Sequence, residues 1–106
     1  MKVSILMTLL TLSGGVAVAA GDAAAGKAVY DKSCMTCHGA TGVANPNIAK
    51  MMKVDIKDLG SAEIQKMSDA DFKTTITEGK GKMKPVKGVA GKDLDNVVAY
   101  VRSLKK

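Results

Sequence analysis

Both cysteines and the only histidine of this 106-residue chain fall in one short run, Cys34-Met35-Thr36-Cys37-His38. Three positions apart, the two thiols project to the same side of a single helical turn, with the imidazole directly beyond them. This spacing suits one porphyrin, whose two vinyl groups can each take a thiol while the adjacent imidazole meets the iron as proximal ligand. A zinc site would need two more ligands, and no other cysteine or histidine exists. A thioredoxin-like redox pair belongs beside a βαβ pattern, which the flanking residues do not show. A plain disulfide is the alternative that stays open. The motif predicts one haem c, bound covalently through Cys34 and Cys37, with His38 as a metal ligand.

The chain opens on a stretch that is not expected to take part in the fold. Met1-Lys2 is followed by the apolar run Val3 to Leu12, then Gly14-Gly15, then small residues at Ala17-Val18-Ala19-Ala20. This order is that of an export signal cut after Ala19 or Ala20. The apolar run falls short of the roughly 20 residues that span a bilayer, and no cysteine stands at the cleavage boundary to take a lipid. Residues 1–20 are therefore expected to be a cleaved signal peptide, and 21–106 one exported, periplasmic domain without a membrane anchor.

A domain of about 86 residues is marginal without a staple. This one has no Trp and only three aromatics, Tyr30, Phe72 and Tyr100. Something besides side chains is expected to fill its core. Around that core the pattern is helical. Asp22 to Ser33 is rich in helix formers, with Gly26, Val29, Tyr30 and Ser33 on one stripe that ends at the motif. Gly39 to Asn45 reads as a loop, and Asn45 as the cap of a short helix that starts at Pro46 and ends at Met51 or Met52. Lys53 to Gly60 reads as a solvated connector. A helix is expected from Ser68, its cap, to Glu78, with Gly79 as its stop. Gly79 to Gly91, with four Gly and a Pro, reads as a loop. Lys92 to Leu104 is the strongest helix, with Leu94, Val97, Val98, Val101 and Leu104 on one face. No period-two run of strand length is found, so the fold is expected to be all-α, about four short helices around one haem.

A second axial ligand has to come from a thioether, because His38 is the only imidazole. Met35 lies inside the attachment motif, on the wrong side of the porphyrin plane. Met51, Met52 and Met67 fall in helical segments, where Met is usually a gap filler. Met83 sits instead in Gly79-Lys80-Gly81-Lys82-Met83-Lys84-Pro85, a glycine-rich loop whose backbone can come close to a flat cofactor. Met83 is the expected ligand, and a core Met in an irregular loop is the other reading.

Three stretches taken together, Gly26-x-x-x-Tyr30 before Cys34-x-x-Cys37-His38, Gly79-x-Gly81-x-Met83-x-Pro85, and Tyr100-Val101-Arg102-Ser103-Leu104, resemble class I bacterial cytochrome c, the monohaem proteins with His/Met ligation. The resemblance covers essentially all of residues 21–106. It implies that the first and last helices cross near Gly26, with Tyr30 and Tyr100 packed at the contact. It also implies that the carbonyl of Pro46, in Asn45-Pro46-Asn47-Ile48, accepts a hydrogen bond from the proximal imidazole and raises its basicity. Two positions depart from the family pattern. Lys84 replaces the proline that often follows the ligand Met, and Ala90 stands where a Ser or Thr often caps the last helix.

With His38 on one face and Met83 on the other, the iron has no open position, and what is left to it is single-electron exchange through an exposed haem edge. The expected function is that of a soluble electron carrier rather than an enzyme. A net charge of +6, with Lys80, Lys82, Lys84 and Lys87 around the Met83 loop, points to acidic redox proteins as partners, a reductase and an oxidase, met by a monomer. Three mostly buried aromatics leave no stacking platform for nucleic acid. Two alternatives remain. Without Met83 on the iron, a five-coordinate haem would bind small ligands, as a sensor or weak peroxidase. The domain could also be a permanently docked subunit of a larger redox enzyme.

Overall fold

The computed structural model describes residues 21–106, so the expected signal peptide lies outside the described residues. Six helices follow one another: α1 (Ala23–Ser33), α2 (Met35–His38), α3 (Pro46–Met52), α4 (Ala62–Gln65), α5 (Asp69–Glu78) and α6 (Gly91–Ser103). The described residues contain no strand, only an isolated bridge between Lys80 and Met83. The fold is all-α, as the hydrophobic pattern predicts, with two very short helices beyond the expected four. Of these, α2 is the attachment motif itself.

Most boundaries are set by side chains that satisfy the free N–H groups of a first turn. The Asp22 carboxylate accepts from Ala24 and Ala25, Asn45 Oδ1 from Asn47 and Ile48, and Ser68 Oγ from Asp71. Pro46 occupies the first position of α3, where a missing N–H costs nothing. α5 stops at Gly79, whose φ of 78° is open to glycine. α6 begins without a side-chain cap, because Ala90 has no acceptor to offer.

The frame of the domain is the crossing of α1 and α6. Gly26 is buried there, and a Cβ on it would lie on the Asn96 carbonyl oxygen. The two backbones therefore touch at a point only glycine allows. Asn96, buried in α6, accepts the Asp22 N–H at 2.8 Å through Oδ1 and so fixes the start of α1 to the same helix. Next to the crossing, the Tyr30 and Tyr100 rings pack at 4.9 Å between centroids, as the family resemblance implies. Tyr30 and Val97 are essentially fully buried, and Phe72, Ile76, Val89, Val98, Tyr100 and Val101 complete the core.

Arg102, near the end of α6, ties down the segment that precedes α5. Its guanidinium donates to the carbonyls of Gln65 and Met67 and to Asp69, and stacks 4.6 Å from the centre of the Phe72 ring. Gln65 in turn donates to the Leu59 and Val101 carbonyls. These bonds hold α4 and the chain on either side of it against α6.

Candidate functional site

α1 runs almost directly into the attachment motif: Cys34 closes one helix and begins the next. After His38 the chain turns sharply at Gly39, whose φ of 74° places a Cβ against the Val43 carbonyl. Both core tyrosines reach this turn. Tyr30 Oη donates to the Gly39 carbonyl at 2.6 Å, and Tyr100 Oη to the Ala40 carbonyl at 3.3 Å. The residue after the imidazole is thus fastened to α1 and the next one to α6. Motif reading cannot locate such bonds, since they depend on where two helices cross.

Cys34, Cys37 and His38 line a cavity of about 660 Å³, and Met83 lines it as well. The two cysteines do not form a disulfide with each other. Burial pushes the Cys34 thiol up to about 11, so its sulfur is neutral at pH 7. Burial also lowers the His38 pKa, which keeps the ring uncharged and its lone pair free for a metal. Much of the wall is the hydrophobic core itself: Tyr30, Phe72, Ile76, Val97 and Val101 all face it. A close-packed interior does not enclose so large a space for its own sake. The volume lies within the range of about 300–1,000 Å³ that holds a compact organic ligand. Two thiols, a neutral imidazole and a thioether on an apolar wall form the donor set that haem c requires, and the residues fit it.

The remaining expectations divide. Met35 and Met51 are both exposed, and neither lines the cavity. Met52 and Met67 do line it, so three thioethers face the same space. Met67 also packs against the core below Arg102. Met67 lies outside any helix, just past α4, and Met83 is carried on a tight glycine turn. Its N–H and carbonyl bond reciprocally to Lys80 at 2.9 Å, with Gly81 at φ 57° between them, the arrangement of a two-residue type II′ turn.

Pro46 is not brought into the site. His38 Nδ1 is buried and makes no hydrogen bond, and Pro46 lies exposed at the start of α3. The connector from Lys53 to Gly60 is also not simply solvated. Lys53, Asp55 and Lys57 are exposed and Val54 and Ile56, which alternate with them, are half-buried, and the run from Val54 to Lys57 lines the cavity. Of the four lysines, Lys80, Lys82 and Lys84 stand at the cavity, and Lys87 borders a separate groove with Lys32 and Asp93. No helix among the described residues is long and apolar enough to cross a membrane.

The same arrangement recurs in known proteins. A family model described as cytochrome C oxidase, cbb3-type, subunit III matches residues 21–101. Cytochrome c-554(547) of Halothiobacillus neapolitanus is 36% identical over 95 residues, which is 81% of this chain and all of that protein. Cytochrome c6 of Rippkaea orientalis is 38% identical over 85 residues, covering 77% of this chain and 70% of that one. Among solved structures, the KustC0563 c-type cytochrome superposes with a TM-score of 0.64 at 30% identity, over 76% of this chain and 98% of its own. Backbone and sequence agree over most of the described residues, and the chain belongs to the cytochrome c family.

Proposed function

We propose that this chain is a periplasmic electron carrier, exported by residues 1–20, with haem c attached at Cys34 and Cys37 and ligated by His38 and Met83. The observation that carries the reading is the common cavity: both thiols, the imidazole and the turn-borne thioether open onto one apolar space walled by the core. The bound group supplies reversible one-electron exchange at its iron. The chain's own part is to bind it irreversibly, to orient the imidazole through the Tyr30 and Tyr100 bonds to the adjoining turn, and to exclude water with an apolar wall. A thioether in an apolar pocket favours the reduced state and raises the potential. With His38 and Met83 both holding the group, its iron would be left to electron exchange rather than to a substrate.

The test is a pair of optical spectra of protein exported from a host able to mature c-type haem. A c-type reduced spectrum and the weak near-red Met-to-iron band in the oxidised form are expected. A c-type spectrum without that band would overturn the ligation, and the absence of any haem spectrum would overturn the whole reading.

Lys80, Lys82 and Lys84 beside the cavity support docking of an acidic reductase or oxidase. The bimolecular rate of reduction by such a partner is then expected to fall by about tenfold or more between low and physiological salt. A rate indifferent to ionic strength would remove the docking surface from the proposal. A second reading follows from the matched family model, which is named for an oxidase subunit: the domain would sit permanently in a larger complex. Size exclusion of the native periplasmic extract separates the two, since a carrier elutes near its own mass.

A further inference from the structure

The turn that carries Met83 is held at its base by two backbone bonds, from Gly79 N–H to Thr75 and from Val86 N–H to Ile76. Its own Lys80–Met83 pair is internal and ties the tip to nothing else. Another cavity-lining segment begins at the end of α3. There the chain leaves the helix through Lys53, which has φ 53° and is the one non-glycine residue with positive φ among the described residues. Val54 N–H closes on Ala49 at 3.0 Å and Lys53 N–H on Lys50 at 3.2 Å, a Schellman closure with lysine where glycine is usual. The carbonyls of Met52 and Lys53 are left without a backbone donor among the described residues. They form the negative end of the helix. Lys82 Nζ meets both of them, at 2.5 Å from Met52 O and 3.3 Å from Lys53 O.

We propose that Lys82 is a positioning residue for the iron ligand: its ammonium clasps the end of α3 and thereby holds the Met83 turn down over the cavity. The inference rests on Met83 being the ligand, as proposed above. Lys82 is the residue next to Met83 and the second residue of the type II′ turn, so a bond at its side chain fixes the part of the loop that the base bonds do not reach. The clasp spans 30 residues of sequence and joins two cavity-lining segments that share no backbone bond. No comparable bond holds the side chains of Lys80 or Lys84 among the described residues. Lys82 thus differs in kind from its neighbours. Theirs make no such bond, whereas its ammonium donates to two carbonyls and keeps its charge.

The experiment is imidazole binding to the oxidised, haem-loaded protein, which requires the thioether to leave the iron. Lys82→Met keeps the length of the side chain and removes the donor. Its imidazole affinity is expected to rise about fivefold, the order of a charged hydrogen bond that is open to water. Lys82→Arg, which restores donors to the same carbonyls, is expected to return the affinity to that of the wild type. Lys50→Met, a charge removed from the same helix end, is expected to leave it unchanged, and the global unfolding midpoint of Lys82→Met is expected to stay within a degree or two of the wild type. An unaltered affinity in Lys82→Met would overturn the clasp, as would an equal rise in Lys50→Met. Failure of the underlying ligand reading shows separately, as a wild-type oxidised spectrum with no Met-to-iron band, and removes the proposal with it.

Discussion

Met83→Ala is expected to keep its covalently attached haem and its c-type reduced spectrum, to lose the near-red band, and to bind carbon monoxide when reduced at neutral pH. Its reduction potential is expected to fall by on the order of 100 mV or more, within the ~0.8 V span that axial ligands control. The prediction discriminates because Met52 and Met67 line the same cavity. If the band and the resistance to carbon monoxide survive in Met83→Ala but vanish in Met52→Ala or Met67→Ala, the ligand has been misassigned. Geometry favours Met83 on two grounds. Met67 is packed into the core under Arg102, and freeing it would unpack that core. Met83 is presented by a turn whose glycines, Gly79 and Gly81, hold conformations that other residues rarely adopt.

Gly26→Ala is expected to destabilise the haem-loaded protein by about 3 kcal/mol, the upper part of the range for overpacking. For a domain of this size that is a fall of about 15 °C in Tm. Helix propensity alone predicts the opposite sign, because alanine in place of glycine within a helix gains about 1 kcal/mol. The added methyl would meet the Asn96 carbonyl, which is backbone and has no rotamer in which to move aside. Relief requires α1 and α6 to separate, and separation loosens Tyr30 and Tyr100 together with the turn after His38. Thermal unfolding followed by far-UV circular dichroism measures this directly. A Tm equal to or above that of the wild type would show that the two helices do not meet at Gly26.

The parts of the molecule that were legible in the sequence are those built from neighbours along the chain. Asn45 and Ser68 cap helices with bonds to residues two or three positions on, and those helices begin where the caps predict, while Asp22, expected inside the first helix, turns out to be its cap. The last helix begins at Gly91 rather than Lys92, a shift of one position at an end that lacks a side-chain cap. What local pattern did not reveal depends on distant partners. α4 has four residues, too few to form alone, and is held by Gln65 and Arg102 bonds that reach across to α6. Val54 and Ile56 alternate with Lys53, Asp55 and Lys57 as a strand would, yet no strand lies beside them, because the surface they face is the cavity. The candidate site shows the same division. Cys34, Cys37 and His38 announce themselves by spacing, and Met83 by the glycines around it. The anchoring of the adjoining turn by two tyrosine hydroxyls, and the clasp from Lys82 to α3, require the folded chain.

The tyrosine anchors also set an order of assembly. The attachment motif is complete at residue 38, but the Tyr100 hydroxyl that steadies the turn behind it comes from a helix starting at Gly91, with 60 residues separating donor from acceptor. A chain made from its N-terminus therefore presents its two thiols well before α6 is available to close against α1. Non-local contacts of this kind form late because their loop closure is costly. The cysteines are accordingly most accessible before α6 closes on α1, and that closure shuts the finished site.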